Sequence, residues 1–327
     1  MIQVPASYKT KLHPYAYLRT ADDVRLRYGF WASQGGICRG TLFLLNGRSE
    51  YMEKYLEVIQ ELTCRGFQVV SFDWRGQGLS DRLLAHPTKG YVDTFDHYMI
   101  DLEAVLAEVL PRCRGPLMLM THSMGGQMAL RFLRKRPGLF AKTILCAPMI
   151  DINTAPMPKY LARLFSRWLR SAGFARAMIV GADHFDPYGH SFEHNRITSD
   201  KLRYERIRQT IADNPCLVAT HVTNGWLAAA FDSIDILHRP GFNSGIHTPL
   251  LVVMAGQDQI VVNQATRRFT THLPYCKTIV IQDSRHEILQ EQDALRSQFW
   301  EAFDKFVADR PRPQPAVSSK LFNPQRS

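Results

Sequence analysis

Residues 118–133 read MLMTHSMGGQMALRFL, an apolar run that changes to a helical pattern within a few residues. The junction, THSMG, differs from the pattern G-x-S-x-G at one position, because Thr121 replaces the first glycine. In that pattern the serine occupies a strained strand-to-helix turn, and small neighbours let the strand and the helix approach closely. A serine at such a junction can also simply cap the helix. The stretch therefore predicts a strand, a sharp turn and a helix, with Ser123 as a candidate nucleophile.

Apolar runs and helical patterns alternate on both sides of this stretch. An antiparallel pair is predicted within residues 15–31, and further strands are predicted at 41–46, 68–73, 116–122, 142–148, 249–256 and 277–283. Helical patterns follow most of these strands, and the last one covers 290–308. Strands that alternate with helices indicate a mostly parallel sheet with right-handed crossovers. The predicted fold class is α/β, with a mostly parallel central sheet flanked by helices.

The alternation is interrupted between residues 150 and 245, in a segment rich in arginine, histidine and aromatic residues. An insertion between two core strands usually lies over the carboxyl edge of the sheet, where open α/β sheets bind ligands. The sequence predicts one core, formed by residues 1–149 and 246–309, with an inserted helical cap at 150–245. The basic, proline-rich tail at 310–327 is predicted to be disordered.

Composition narrows the class of protein. The 327 residues contain no long uninterrupted apolar segment and begin without the apolar block of a signal peptide, so no membrane span is expected. The six cysteines include no C-x-x-C pair, which predicts reduced, mostly buried thiols in a cytoplasmic protein. The net charge of +10 is compatible with an anionic partner such as phospholipid or nucleic acid, or with simple solubility.

Two further residues follow the carboxyl ends of later strands. A nucleophilic serine needs a general base, and the base needs a carboxylate that orients it. On a sheet of this kind the chain order is serine, acid, histidine. Asp258 follows the strand at 249–256 and His286 follows the strand at 277–283. Because this order and placement rarely arise by chance, we predict a triad of Ser123, Asp258 and His286.

Other acids satisfy this pattern less well. Asp283 closes a strand, Glu287 directly follows the histidine, and Asp232 and Asp235 lie within the cap. Neither a metal nor a cofactor is predicted, because a hydrolytic triad requires none. The acids and histidines between 183 and 194 have no spacing that places metal ligands on one face.

Acyl transfer also needs two N–H donors for the oxyanion of its transition state. The backbone N–H of Met124, at the start of the helix, is one candidate. The second is expected from the loop after strand 41–46, Asn46-Gly47-Arg48-Ser49, and we assign it to the backbone N–H of Arg48. Without the triad, the same loop would be only a turn before a helix.

Several segments together resemble the monoacylglycerol lipase and lysophospholipase group of α/β-hydrolases. They are LLNGRSEYMEKY, FDWRGQGLSD, THSMGG, GQDQIV and SRHEIL, with cap segments NRITSDKLRYERIRQTIADNP and GWLAAAF similar to the bacterial lysophospholipase branch. The resemblance implies the α/β-hydrolase fold, the Ser123–Asp258–His286 triad and a serine ester hydrolase acting on a lysophospholipid or a monoacylglycerol. It also implies that Glu50 and Lys54 lie near the head group; the alternative for both residues is a solvated helix start.

The sequence departs from that family in the loop after strand 41–46. Asn46 replaces the usual histidine, and Arg48 replaces a small residue. An arginine beside the oxyanion hole either narrows the pocket or contacts a phosphate, so the head group stays open. A small-molecule carboxylesterase or aminopeptidase of the same fold is the alternative. The oligomeric state is open as well.

The start of the cap, PKYLARLFSRWLRSAGFARA (158–177), has the pattern of a basic amphipathic helix. Its apolar residues Leu161, Leu164, Phe165, Trp168 and Leu169 share one face, and we expect this face to cover the active site as a lid. Arg163, Arg167 and Arg170 predict peripheral contact with anionic membrane at its inner face when the lid opens. A nucleic-acid partner is not predicted, because a binding module has no use for a complete triad.

Overall fold

The computed structural model describes residues 15–181 and 188–309, which build a central eight-stranded sheet. Elements are numbered in chain order. The strands of the sheet are β1 (Tyr15–Arg19), β2 (Arg25–Trp31), β3 (Gly40–Leu45), β4 (Phe67–Phe72), β6 (Leu117–His122), β7 (Lys142–Cys146), β9 (Leu250–Ala255) and β10 (Cys276–Ile281). Two short strands, β5 (Lys89–Gly90) and β8 (His221–Val222), pair separately.

The strand order is β1-β2-β4-β3-β6-β7-β9-β10. β2 is antiparallel to β1 and β4, and the remaining pairings are parallel, which confirms the predicted α/β class. From β3 the chain moves to β4 on one side, and β6 lies on the other side. The strand order therefore reverses between β3 and β6, and open α/β sheets bind their ligands at such a point.

The described residues contain eight α-helices, some of which cover the two faces of the sheet. They are α1 (Leu56–Cys64), α2 (Asp96–Val109), α3 (Met124–Lys135), α4 (Lys159–Leu169), α5 (Lys201–Asp213), α6 (Asn224–Leu237), α7 (Asn263–Thr270) and α8 (Asp293–Ala308). Side chains of β3 alternate between the two faces. Phe43 and Leu45 pack in the core with α2, α3 and α6, while Leu42 and Leu44 pack with α1 and α8.

The segment between β7 and β9 contains α4, α5, β8 and α6. It contacts the loop after β3, where the Ser49 hydroxyl donates to the carbonyl of Ala219 at 2.6 Å. It also contacts the loop after β10, where the amide of Glu287 donates to the carbonyl of Ile197 at 2.8 Å. Helix α6 contributes Trp226 and other residues to the larger core. Part of the proposed cap at 150–245 is thus integrated with the sheet.

The thiols differ from their predicted burial. All six cysteines lie within the described ranges, and they are free. Cys146 on β7 is buried, but Cys64 and Cys216 are exposed. The expectation of mostly buried thiols was therefore wrong, because a position beside an apolar element does not decide which way a side chain points.

Candidate active site

Ser123 lies between β6 and α3 in a strained backbone conformation. Its φ of 50° and ψ of −115° fall outside the regions that non-glycine residues usually occupy. A side chain on Gly125 would place its Cβ 2.4 Å from the carbonyl oxygen of Leu45, so the helix packs directly against the end of β3. The structure thus contains the sharp strand-to-helix turn that the sequence predicts.

Thr121, the residue that departs from the motif, fits on β6 among its neighbours without contact with solvent. Its hydroxyl donates to the carbonyl of Ile144 on β7 at 3.3 Å, and the side chain is fully buried. A Cβ on Gly126 would lie 3.3 Å from the Thr121 hydroxyl oxygen. The room for threonine therefore comes partly from a glycine in the first turn of α3.

Asp258 and His286 meet at the carboxyl edge of the sheet. The Nδ1 atom of His286 lies 2.7 Å from Oδ2 of Asp258. The other carboxylate oxygen accepts from the amides of Ile260 and Val261 at 2.8 and 3.0 Å. Burial raises the pKa of Asp258, but His286 and the two amides outweigh burial and hold this pKa below its usual value. Asp258 is therefore an ionised carboxylate that orients His286.

His286 lies beside the turn that carries Ser123. Its ring centroid is 4.8 Å from that of His122, and its carbonyl oxygen is 3.2 Å from Nε2 of His122. Ser123 and His286 are 7% and 5% exposed. In the part of the chain that the structure describes, no hydrogen bond joins the Ser123 hydroxyl to His286. Catalytic hydrogen bonds are often long until substrate binds.

The competing acids have other partners. Asp283 is exposed. Glu287 is buried and lies 2.7 Å from the Nζ atom of Lys54. Asp232 and Asp235 form ion pairs with arginines of α4. Among the acids considered, Asp258 is the one that contacts His286.

The loop after β3 is held by side chains around Arg48. The amide of Gly47 donates to Glu50, and the amide of Ser49 donates to Oε1 of Gln77 at 2.5 Å. Ser49 has a φ of 60°, a strained value for a residue other than glycine. The carbonyl of Gly47 accepts from Gln77 at 3.2 Å. These contacts fix the peptide units on both sides of Arg48.

The Arg48 side chain points to the segment between β7 and β9. Its Nη1 atom donates to the carbonyl of Thr220 at 3.1 Å, and its guanidinium carbon lies 5.4 Å from the ring centroid of Trp226. The side chain of Asn46 instead donates to the carbonyl of Phe72 on β4 at 3.2 Å. Of the two departures from the family pattern, Arg48 is therefore the one that can affect a substrate.

Comparison with known proteins identifies the family. A family model described as serine aminopeptidase S33 matches residues 36–293. The chain belongs to this family. It is 32% identical over 286 residues to lysophospholipase L2 of Escherichia coli K12, with 84% of this chain and 82% of the relative covered. It is 27% identical over 297 residues to a probable lysophospholipase L2 of Haemophilus influenzae, with 90% and 92% covered.

Solved structures show the same fold. A soluble variant of the Saccharomyces cerevisiae monoglyceride lipase, in complex with a substrate analog, matches with a TM-score of 0.74 and 20% identity. The match covers 92% of this chain and 96% of the lipase. The monoacylglycerol lipase of Paleococcus ferrophilus matches with a TM-score of 0.68 and 19% identity, over 86% and 98% of the two chains. The predicted α/β-hydrolase fold and the family resemblance are confirmed.

Glu50 and Lys54 do not have the surroundings expected of head-group contacts. They are 3% and 4% exposed. One oxygen of Glu50 contacts Lys54 and His122, and the other accepts from Gly47 and from the hydroxyl of Tyr55. Both carboxylate oxygens of Glu50 therefore have partners within this S33 protein, and neither residue is exposed to a substrate. The prediction that Glu50 and Lys54 contact the head group is wrong. The two residues directly follow the loop after β3, and Glu50 accepts from the amide of Gly47 in that loop.

Four residues of this region were missed as parts of the site: Gln77, His122, Tyr188 and Glu287. Some had a signal in the sequence. Gln77 lies in the quoted segment FDWRGQGLSD, and His122 and Glu287 adjoin the predicted nucleophile and base. No sequence pattern connects Tyr188 to the other three, because its contact with Glu287 joins residues 99 positions apart.

Helix α4 has the predicted amphipathic pattern in the opposite orientation. Leu164, Phe165 and Trp168 are 61%, 47% and 60% exposed. The basic residues face α6 and form a ladder of ion pairs: Arg163–Asp235, Arg167–Asp235, Arg167–Asp232 and Arg170–Asp232, at 2.5 to 2.8 Å. The expectation that this apolar face covers the active site is therefore wrong, while contact of the arginines with a membrane stays a prediction. The acids of α6 determine which face turns inward.

Within the described ranges, no group of three or more histidine, cysteine, aspartate or glutamate side chains could hold a metal ion. Asp183, His184 and Asp186, part of the cluster noted in the sequence, lie outside those ranges. Helices long and apolar enough to cross a membrane are absent from the described residues.

Proposed function

We propose that this protein hydrolyses the acyl ester of a single-chain lipid, a lysophospholipid or a monoacylglycerol, through an acyl-enzyme on Ser123. The observation that carries the proposal is the buried Asp258–His286 pair beside a serine in a strained turn. The relatives named lysophospholipase L2 support the substrate class. Neither a metal nor a cofactor has a role in the proposed reaction.

In the first half of the reaction, the Ser123 hydroxyl attacks the ester carbonyl while Nε2 of His286 accepts its proton. The backbone N–H groups of Met124 and Arg48 stabilise the oxyanion. The alcohol then leaves with the proton from His286. In the second half, His286 takes a proton from a water molecule, which attacks the acyl carbon. The bond from this carbon to the Ser123 oxygen then breaks, His286 returns the proton to that oxygen, and the fatty acid is released. Asp258 stays ionised and holds the imidazolium in place throughout.

A lysophospholipid is the favoured substrate, because Arg48 places a guanidinium in the loop after β3, here called the oxyanion loop. Guanidinium groups suit phosphate oxygens, and a monoacylglycerol carries no such charge. Turnover of lysophosphatidylethanolamine, a monoacylglycerol and a short p-nitrophenyl ester by the purified protein ranks these substrates. An aminoacyl p-nitroanilide tests the aminopeptidase alternative.

A fluorophosphonate probe tests the proposed nucleophile. We expect the probe to label the wild-type protein and to leave Ser123→Ala unlabelled. A folded wild-type protein that neither reacts with the probe nor hydrolyses any ester would refute the proposed chemistry. If the protein cleaves the anilide in preference to the esters, the proposed activity is that of an aminopeptidase and not that of an ester hydrolase.

The proposal includes peripheral membrane contact through the exposed apolar face of α4. Leu164, Phe165 and Trp168 project from one side of this helix, and a substrate with an acyl chain resides in membranes. The arginines of the same helix already have acidic partners, so the apolar contribution should dominate.

Co-sedimentation with vesicles tests this contact. Trp168→Ser should weaken binding to vesicles of phosphatidylcholine and phosphatidylglycerol by about tenfold, because one large apolar side chain is lost from the interface. Leu202→Ser is the matched control, since Leu202 is an exposed apolar residue on α5. Equal binding by the two variants would exclude the α4 face as the membrane contact.

A further inference from the structure

Four ionisable side chains form a buried cluster beneath the proposed active site. Glu50, Lys54, His122 and Glu287 are each 3% to 5% exposed. They belong to the oxyanion loop, the short helical turn that follows it, the end of β6 and the loop after β10. The proposed reaction assigns no proton transfer to any of them. Charged groups are costly to bury, so this cluster requires an explanation.

Lys54 lies at the centre of the cluster. Its Nζ atom contacts Oε1 of Glu50 and lies 2.7 Å from Oε1 of Glu287. Burial lowers the pKa of this ammonium group, but the two carboxylates outweigh burial, so the pKa stays above its usual value. The backbone carbonyl of Lys54 accepts from Gln290 at 3.1 Å. One cation therefore bridges two carboxylates that belong to separate loops.

Glu50 connects this cation to the oxyanion loop and to the nucleophile turn. It accepts from the amide of Gly47, the residue before Arg48, and it lies 2.9 Å from Nδ1 of His122, the residue before Ser123. Burial lowers the pKa of the His122 imidazole, and Glu50 more than offsets burial, so that this pKa is raised. Glu50 thus acts on both elements that supply the oxyanion donors.

Glu287 connects the same cation to the loop of the general base. It directly follows His286, and both of its carboxylate oxygens lie 2.9 Å from the hydroxyl of Tyr188. Its amide donates to the carbonyl of Ile197 at 2.8 Å. Tyr188 and Ile197 belong to the segment between β7 and β9. The proposed cap therefore contacts the cluster through Glu287, which belongs to the loop after β10, and the oxyanion loop contacts it through Glu50.

We infer that Lys54 is a positioning residue for the reaction. Through Glu50 and Glu287 it fixes the position of the oxyanion loop relative to the loop after β10, which carries His286. If Lys54 were neutral, the cluster would contain two carboxylates without a shared cation. Each carboxylate would then move or take up a proton, and the loop attached to it would move too. This role rests on the proposed ester hydrolysis, and it differs from contact with a head group.

A substrate without a head group separates the two roles. For p-nitrophenyl butyrate, we expect Lys54→Met to lower kcat by about 10²-fold, the effect of misplacing an oxyanion donor, with KM changed less than threefold. Lys54→Arg keeps the charge and should recover part of kcat. A head-group contact would predict an unchanged kcat for this ester, and that result would overturn the inference. If the wild type itself fails to hydrolyse the ester, the proposed function fails instead.

A second variant covers the case in which Lys54→Met does not fold. Tyr188→Phe leaves every charge in place and removes the hydrogen bonds from its hydroxyl to Glu287. We expect it to lower kcat by about threefold to tenfold at constant KM. Tyr204→Phe is the matched control, because Tyr204 packs against Tyr188 but donates to the carbonyl of His190. If the two tyrosine variants have the same kcat, the cluster has no positioning role.

Discussion

Replacing Asp258 with asparagine should invert the tautomer of His286. One carboxylate oxygen of Asp258 accepts from the amides of Ile260 and Val261, and the other accepts from Nδ1 of His286. In Asp258→Asn the side-chain oxygen must remain with the two amides, because an NH₂ group cannot accept from them. The NH₂ group then faces Nδ1 and donates to it. The proton of the neutral imidazole is forced onto Nε2, the atom that should accept from Ser123.

The size of the effect follows from this change. A base with its proton on the wrong nitrogen cannot take up the serine proton, and such a substitution costs about 10⁴-fold in kcat. This factor corresponds to about 5 kcal/mol of transition-state stabilisation. Stability should change little, because the amide contacts and the shape of the side chain are kept. We therefore expect an almost inactive protein with a near-native melting temperature.

Steady-state hydrolysis of p-nitrophenyl butyrate at saturating substrate measures this loss. Asp283→Asn is the matched control, since Asp283 is exposed and three residues from the same histidine. It should retain wild-type kcat. A loss of less than tenfold in Asp258→Asn, or an equal loss in Asp283→Asn, would refute the assignment of Asp258.

Three further outcomes are expected. Thr121→Gly should keep fluorophosphonate labelling at Ser123. It should lower the free energy of unfolding, measured by urea titration, by about 2 kcal/mol, because a buried methyl group and strand propensity are lost. Loss of labelling would contradict this prediction. Arg48→Ala should lower kcat/KM for a lysophospholipid about tenfold more than for a monoacylglycerol, since the backbone donor is retained; equal losses would exclude phosphate recognition. Burial raises the pKa of Glu57, but Arg203, Arg206 and Arg296 outweigh burial and hold it at about 2. Because this pKa is depressed, the interaction stabilises the fold above pH about 4.5 and is lost as the pH falls toward about 2. Glu57→Gln should therefore lower the free energy of unfolding by about 1–2 kcal/mol at neutral pH and by less in acid. Urea unfolding at several pH values measures this difference.

The proposed triad was predictable because each member follows an element with a clear local signal. Ser123 and Asp258 come after buried strands, and His286 comes after the edge strand β10; the apolar runs of all three strands are visible in the sequence. Parallel strands bring their carboxyl ends to one edge of the sheet, so three residues distant in sequence are expected to meet there. The structure joins Asp258 to His286 and sets Ser123 in the expected turn, while the catalytic roles stay predictions.

Arrangements that depend on pairing between distant side chains were not predictable in this way. Glu50 and Lys54 have the spacing of neighbours on a helical turn, which is equally compatible with a solvated surface and with a buried cluster. Their burial depends on Glu287 and Tyr188, more than a hundred residues away along the chain. A single sequence has no local pattern that reports such a contact.

Helix α4 separates most clearly what the sequence determined from what the tertiary structure decided. Its periodicity by itself determined that Leu164, Phe165 and Trp168 share one face and that the arginines lie away from them, because helical geometry fixes which residues are neighbours. Which face turns inward was decided by Asp232 and Asp235 on α6, whose carboxylates pair with those arginines. The orientation of an amphipathic helix depends on the surface it meets, and that surface exists only once the chain has folded.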